Sequence, residues 1–318
     1  MHKKRLRDAI SSLKENGCLI HSVTRLRDGL NSNAYKISTS RGDSALKLYP
    51  LGNDTEFRFK RETEYIEFLN NGGINKSPKL EESCPSEKWA KIQWINGTKP
   101  EILEEGDINQ ISDFINEIKE AEIKNTYGLD LLDAKESCFS VKCWKTMFEN
   151  RFRLISKQER DTKDDSQKEA IDWLLKIIIP STIKKIEALE EDEVRYSLFA
   201  NVMIETIMSP SDVGIHNTIK DGQGNLWFID FEYAGKDDVA KLVADWVLQP
   251  NNKLSRELEK ELIQRLSRQV IVDQAKWLKR YAHIKELIRC KWCMIMLSNK
   301  RRQYTDMALE RAKRYYAQ

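Results

Sequence analysis

Hydrophobic and polar positions alternate with period two through LIHSVTRLRDGLNSNAYKISTSRGDSALKLYP, residues 19–50, and turn residues interrupt the pattern at 29–33 and 41–43. Such alternation turns one face of an extended chain toward a core, so the stretch predicts three strands of an antiparallel meander. The preceding segment, MHKKRLRDAISSLKENGCLI, spaces its apolar residues as an amphipathic helix does. TEFRFKRETEYIEFLNNGG sets Phe59, Ile66 and Leu69 among charges and stops at Gly72-Gly73, which predicts a helix. WAKIQWINGTKP predicts one more strand, then a turn at Asn96-Gly97.

From about residue 101 the apolar spacing becomes helical, through INQISDFINEIKEAEI, CWKTMFENRFRLI, AIDWLLKIIIPSTIKKIEALEED and a long C-terminal segment. The polar run SKQERDTKDDSQKEA reads as an exposed loop or helix end. One stretch departs from this pattern: SPSDVGIHNTIKDGQGNLWFIDFEYAG, residues 209–235, is a loop, a turn at 221–225 and a short strand ending near Asp230. The pattern predicts an α+β chain, with a β-rich section and its N-terminal helix over 1–97 and a helical section over 98–318. The acidic loop near their junction suits a ligand held between them.

Composition narrows the class. Of 318 residues, 40% are hydrophobic and 32% charged, the balance of a globular protein with a heavily charged surface. The start has basic residues but neither the apolar core nor the cleavage site of a secretion signal, so a cytoplasmic home is expected. Six cysteines are too sparse for a disulfide scaffold. Cys290 and Cys293 form one C-x-x-C, which reads as part of a packed helix because no second pair or histidine cluster accompanies it. Residues 276–318 carry twelve Lys or Arg against three acids in a chain of net charge +3. Their interleaving with Trp277, Tyr281, Ile284, Leu287 and Ile288 describes an amphipathic helix with a solvated basic face, and no RNA-binding motif accompanies them.

Three positions stand out chemically. Lys47, in the strand pattern SALKLYP, must reach solvent or find an anion. Glu62, fifteen residues later on the predicted helix, suits such a partner. Asp230, within LWFIDFE, is flanked by Trp227, Phe228, Ile229 and Phe231 and is expected to be partly buried, where a lone carboxylate needs a counter-charge. Asp212 and Asn217 flank a five-residue step in the loop before it. They suit either a turn and its backbone groups or hard oxygen ligation around Mg²⁺ and phosphate.

The ordered series GLNSNAYKI, ALKLY, KRETEYIEFL, QWINGT, DVGIHN and FIDFEYAG, from about residue 20 to 250, resembles the aminoglycoside phosphotransferase and choline/ethanolamine kinase superfamily. The resemblance implies a two-lobed, protein-kinase-like α+β fold, with a small antiparallel β-rich N-lobe and a larger, mostly helical C-lobe. It implies ATP- and Mg²⁺-dependent phosphorylation of a hydroxyl on a small molecule. Carried over by position, Asp212 resembles the base that orients the acceptor hydroxyl, Asn217 and Asp230 the Mg²⁺ ligands, Lys47 the contact to the nucleotide phosphates, and Glu62 its ion-pair partner. The turn with Ser32 and Asn33 resembles the loop over the phosphates, and Gln93, Trp94 and Ile95 the segment beside the adenine, although Trp94 equally suits a core position.

Two departures accompany the resemblance. The family usually has His-Gly before its catalytic aspartate, where this chain has Pro210-Ser211, and its downstream D-L-A is replaced by Lys241-Leu242-Val243. A rebuilt loop with retained activity is expected. His216 has a packing and hydrogen-bonding role or, less simply, that of a base. Glu232, Asp237, Asp238, Asp245 and Trp246 are candidate acceptor contacts, suited to a cation or to sugar hydroxyls. A sugar or glycan precursor is slightly favoured over choline, ethanolamine or an aminoglycoside, because Lys236 and Lys241 lie among the acids. The alternative is a nucleotide-binding pseudokinase whose basic C-terminal region engages a partner. Nucleic acid is not an expected ligand.

Overall fold

An amphipathic helix, α1 (His2–Glu15), opens the chain and buries Ala9 and Leu13 completely. The computed structural model describes residues 2–26, 33–52, 54–124, 132–161, 164–200, 202–203, 205–252, 254–267, 271, 273–298 and 306–318. After α1 come β1 (Ile20–Arg25), β2 (Asn33–Thr39), β3 (Gly42–Leu48), α2 (Thr55–Asn71), β4 (Leu80–Cys84), β5 (Trp89–Gln93) and α3 (Glu105–Lys124). Next are α4 (Val141–Asp161), α5 (Asp165–Trp173), α6 (Ile179–Tyr196), β6 (Thr206–Ser209), β7 (Thr218–Lys220), β8 (Leu226–Phe228) and β9 (Gly235–Asp238). Four helices close the chain: α7 (Val239–Leu248), α8 (Arg256–Ser267), α9 (Gln274–Ser298) and α10 (Asp306–Tyr316).

Two compact units result. The first is assembled from three chain segments, Met1–Glu101, Asn109–Lys135 and Pro210–Gly235. Its antiparallel sheet has the order β1-β2-β3-β5-β4. The period-two pattern sends Tyr35, Ile37, Leu46, Leu48 and Trp89 to one face, against Ala9 and Leu13. Lys47 belongs to the opposite face, where its cross-strand neighbours are Ala34 and Ala90. Two small neighbours leave room for a long side chain. The edge strand β4 escapes the sequence pattern because LEESC carries acids and little apolar surface, a composition that discourages edge pairing.

The part of α3 in this unit buries Ile111, Phe114, Ile115 and Ile118. Phe114 stacks on Phe228 of the β7–β8 hairpin at 4.0 Å between centroids. The turn after β5 crosses that hairpin closely: Thr98 and Lys220 exchange backbone hydrogen bonds of 3.0 and 2.8 Å. A Cβ on Gly97 would stand 2.4 Å from the Lys220 carbonyl oxygen, so only glycine fits there.

The second unit comprises Ile102–Ile108, Glu136–Ser209 and Lys236–Gln318. Helices α5 and α6 run on through a π-turn at Leu174–Ile178, just before Pro180, whose ring nitrogen can donate no helical hydrogen bond. In α7 every residue but Val247 is buried. The basic face of α9 is not wholly solvated as its sequence suggests, because Arg280 and Lys291 turn inward. Arg280 meets Asp238 at 3.0 Å, Glu205 at 2.7 Å and the Leu198 carbonyl at 2.9 Å. Lys291 meets Asp245 at 3.0 Å. Cys290 and Cys293 are buried on the same helix as free thiols. No described helix is long and apolar enough to cross a membrane.

Candidate active site

Lys47 is buried, and its ammonium nitrogen lies 2.6 Å from Glu62 Oε2 and 2.5 Å from Asp230 Oδ1. Strand β3 supplies the lysine, α2 the glutamate, and the chain just past β8 the aspartate. Tyr49, two residues along and so on the same side of the strand, donates its hydroxyl to Glu62 Oε2 at 2.6 Å. Glu232, nearly fully buried, brings a third carboxylate 3.7 Å from the ammonium. Oxygens of Glu62, Asp230 and Glu232 come within 4.8 Å of one another. Arg58, one turn before Glu62 on α2, bonds Glu232 Oε1 at 3.2 Å.

Charge and burial oppose one another at this cluster. Burial alone would lower the Lys47 pKa, yet the carboxylates of Asp230, Glu62 and Glu232 reverse that and hold it above its ordinary value. Burial pushes Glu62 up to about 7 against the pull of Lys47, and it also raises Glu232. Three carboxyl groups, Glu62, Asp230 and Glu232, thus meet two cations, Lys47 and Arg58.

Asp212 sits in a turn tied by bonds from Asp212 N to the Pro210 carbonyl and from Val213 N to the Ser211 carbonyl. Its Oδ1 lies 3.2 Å from His216 Nε2, so the histidine braces the aspartate. Asn217 donates its amide nitrogen to the Asp212 backbone carbonyl at 2.8 Å. That bond commits the nitrogen and leaves the amide oxygen as the end able to meet a cation. Asn217 and Asp230 are neighbours across the hairpin, since Ile229 N bonds the Asn217 carbonyl at 3.0 Å. An amide oxygen beside a carboxylate is the hard donor set that Mg²⁺ prefers, so these residues fit that ion. Ser211 and Asp230 both adopt left-handed backbone, with φ of +67° each. Neither is glycine, and such strain concentrates at functional sites.

Other candidates divide sharply. Ser32 lies outside the described residues, while Asn33 opens β2 and accepts from Arg25 at 3.1 Å. Gln93 ends β5 and bonds Lys79 N through its side chain. Trp94 is half-buried, with Lys36 above its ring at 4.7 Å, and Ile95 is buried. In the second unit, Asp237, Asp238, Asp245 and Trp246 are all buried, and the three acids have internal cations. Asp238 caps α7 through Ala240 N and faces Arg280, while Lys241 bridges Asp237 at 2.7 Å and Asp245 at 2.9 Å. They form an internal ion-pair framework and not an open acidic wall. The sequence reading missed Arg58 and Tyr49. The signal for Arg58 was its spacing, four residues before Glu62 and hence on the same helical face.

No family model matches the chain, and no curated protein matches it. Solved structures do. The choline kinase LicA from Streptococcus pneumoniae aligns over 99% of this chain and 98% of its own, with a TM-score of 0.63 at 17% identity. Spectinomycin phosphotransferase, in a complex with ADP and spectinomycin, aligns over 97% and 93%, with a TM-score of 0.62 at 14% identity. An ethanolamine kinase from Plasmodium vivax aligns over 94% and 82%, with a TM-score of 0.55 at 15% identity. The chain therefore has the protein-kinase-like α+β fold found in choline kinases, ethanolamine kinases and aminoglycoside phosphotransferases.

Proposed function

We propose that this chain is a small-molecule kinase, transferring the terminal phosphoryl group of ATP to a hydroxyl of its acceptor. The observation that carries the reading is the meeting of Lys47 with Glu62 at 2.6 Å and Asp230 at 2.5 Å, beside a loop that presents Asp212 and Asn217. Lys47, held by Glu62, would neutralise phosphate oxygens of the nucleotide. Asp230 and Asn217 would hold Mg²⁺, which would offset the charge of the phosphates. Asp212 orients the acceptor hydroxyl and accepts its proton, with His216 fixing the carboxylate. The acceptor oxygen forms a bond to the terminal phosphorus, the bond from that phosphorus to the bridging oxygen breaks, and ADP leaves with the electron pair.

A sugar or glycan precursor is our preferred acceptor. The carboxylates of Asp237 and Asp245 are matched by Lys241 and Lys291, and that of Asp238 by Arg280, so these acids are already neutralised and offer little to a cationic amine. We place the reaction in the cytoplasm, where ATP is abundant and the six free cysteines stay reduced.

The test is ATP consumption with Mg²⁺ across sugars, amino alcohols and aminoglycosides, wild type beside Asp212→Ala. Acceptor-dependent turnover that falls by about 10²–10⁴ in the variant supports the reading. Nucleotide binding with no turnover on any acceptor replaces it with a pseudokinase.

A further inference from the structure

The ion pairs around Lys47 close into a ring. Lys47 joins Glu62 and Asp230, Glu62 and Arg58 share one face of α2, and Arg58 joins Glu232, two residues past Asp230. Glu232 is only 3% exposed and Arg58 only 16%, so their pairing is largely withdrawn from water. The Arg58 guanidinium also lies over the Tyr233 ring, 5.1 Å from its centroid, which fixes the plane of its fork. Glu232 Oε1 is thereby engaged and the Tyr233 hydroxyl also bears on the carboxylate, while Oε2 stands 3.7 Å from Lys47 Nζ.

A gap of that size can close. A Mg²⁺-nucleotide that drew the Asp230 carboxylate away from Lys47 would leave the ammonium with Glu62 and two of its three N–H groups open. Two anions compete for these N–H groups and for the ammonium charge: the nucleotide phosphates, which can take both, and Glu232, which needs to move by only about 1 Å to take one in a charge-assisted hydrogen bond. We infer that Arg58 is a positioning residue that reserves Lys47 for the nucleotide, by holding Glu232 back from the ammonium. The inference rests on the kinase reading above. It assigns Arg58 a role through charge competition, distinct from that of a tie between α2 and the Asp230 segment.

Binding of Mg²⁺ and the non-hydrolysable ATP analogue adenylyl imidodiphosphate, followed by calorimetry on the full chain, separates these roles without an acceptor. Arg58→Met should weaken binding about tenfold, the scale of one hydrogen bond to a charged group. Arg58→Lys, which keeps the charge and loses the fork, should weaken it about threefold. Adding Glu232→Gln to Arg58→Met removes the competitor, and affinity should return to within about threefold of wild type. A mere tie stays broken in that double variant. A double variant as weak as Arg58→Met, or an Arg58→Met that binds like wild type, overturns the inference and leaves the kinase reading standing. A wild type that binds no nucleotide overturns both. Should Arg58→Met fail to fold, Arg58→Lys takes its place: recovery of affinity on adding Glu232→Gln supports charge competition, and no recovery overturns it.

Discussion

Ser211 occupies the position where the resembling family usually has glycine, and its backbone keeps the left-handed conformation that glycine favours, φ +67°. A non-glycine residue there costs about 1–2 kcal/mol, partly offset by the entropy that glycine loses on folding. Ser211→Gly should therefore raise stability by roughly 0.5–1 kcal/mol in urea titrations. An unchanged or lowered midpoint would show that the serine side chain stabilises the loop by more than its backbone costs. Residue chemistry explains which parts of the site were readable. Lys47 and Asp230 stood out because a charged residue set among apolar neighbours demands a partner, whereas Glu62, flanked by polar residues in KRETEYIEFL, followed only from its helix position and the family resemblance. Arg58 was not, since in RFKRETE it looks like one more solvated cation. Of the misread acids, Asp238 has its counter-charge 42 residues further on, at Arg280, and Asp245 adds Lys291, 46 residues further on, to the nearby Lys241, and no local pattern reveals the distant partners.

Elements were legible wherever one face is apolar and the other polar, as in α1, α2, β2 and β3. The reading failed at β4, whose edge position removes the alternation, whereas AIDWLLKIIIPSTIKKIEALEED, read as helical throughout, does continue through Pro180, with a π-turn just before it. Close approach of elements makes its own prediction. Gly97→Ala would set a Cβ 2.4 Å from the Lys220 carbonyl oxygen, both atoms being anchored to backbone. It should cost about 1–3 kcal/mol of stability, read as a lowered melting temperature. At α7 the prediction concerns pH. Burial pushes Asp237 up to about 6 from an ordinary 3.8, against the pull of Lys241. A carboxyl so shifted binds its proton more readily when folded, so its contribution to stability is complete below about pH 4 and is lost as pH rises through about 6. Wild type should thus lose on the order of 2 kcal/mol relative to Asp237→Asn between pH 4 and 7, in paired urea titrations. A constant difference across that window would mean Lys241 neutralises the carboxylate fully.

On the scale of the whole molecule, each unit has its own charged keystone. In the second unit Arg280 gathers Leu198, Glu205 and Asp238 from three separate stretches while being completely buried. Arg280→Met strands two buried carboxylates and should cost about 3–5 kcal/mol. Hydrogen exchange should show protection lost first in α7 and α9, and equal loss across the β1–β5 sheet would contradict that placement. The first unit is held together differently, by segments that meet only after long detours. Lys47 and Asp230 are 183 residues apart in the chain. At the pace of protein synthesis, about 5–20 residues per second, the lysine leaves the ribosome roughly 10–40 s before its aspartate. For that interval the β-sheet face around Lys47 can pair with Glu62 alone and cannot close over the missing hairpin. The nascent chain thus spends that interval with the Lys47 ammonium half-satisfied, its second carboxylate still to be made.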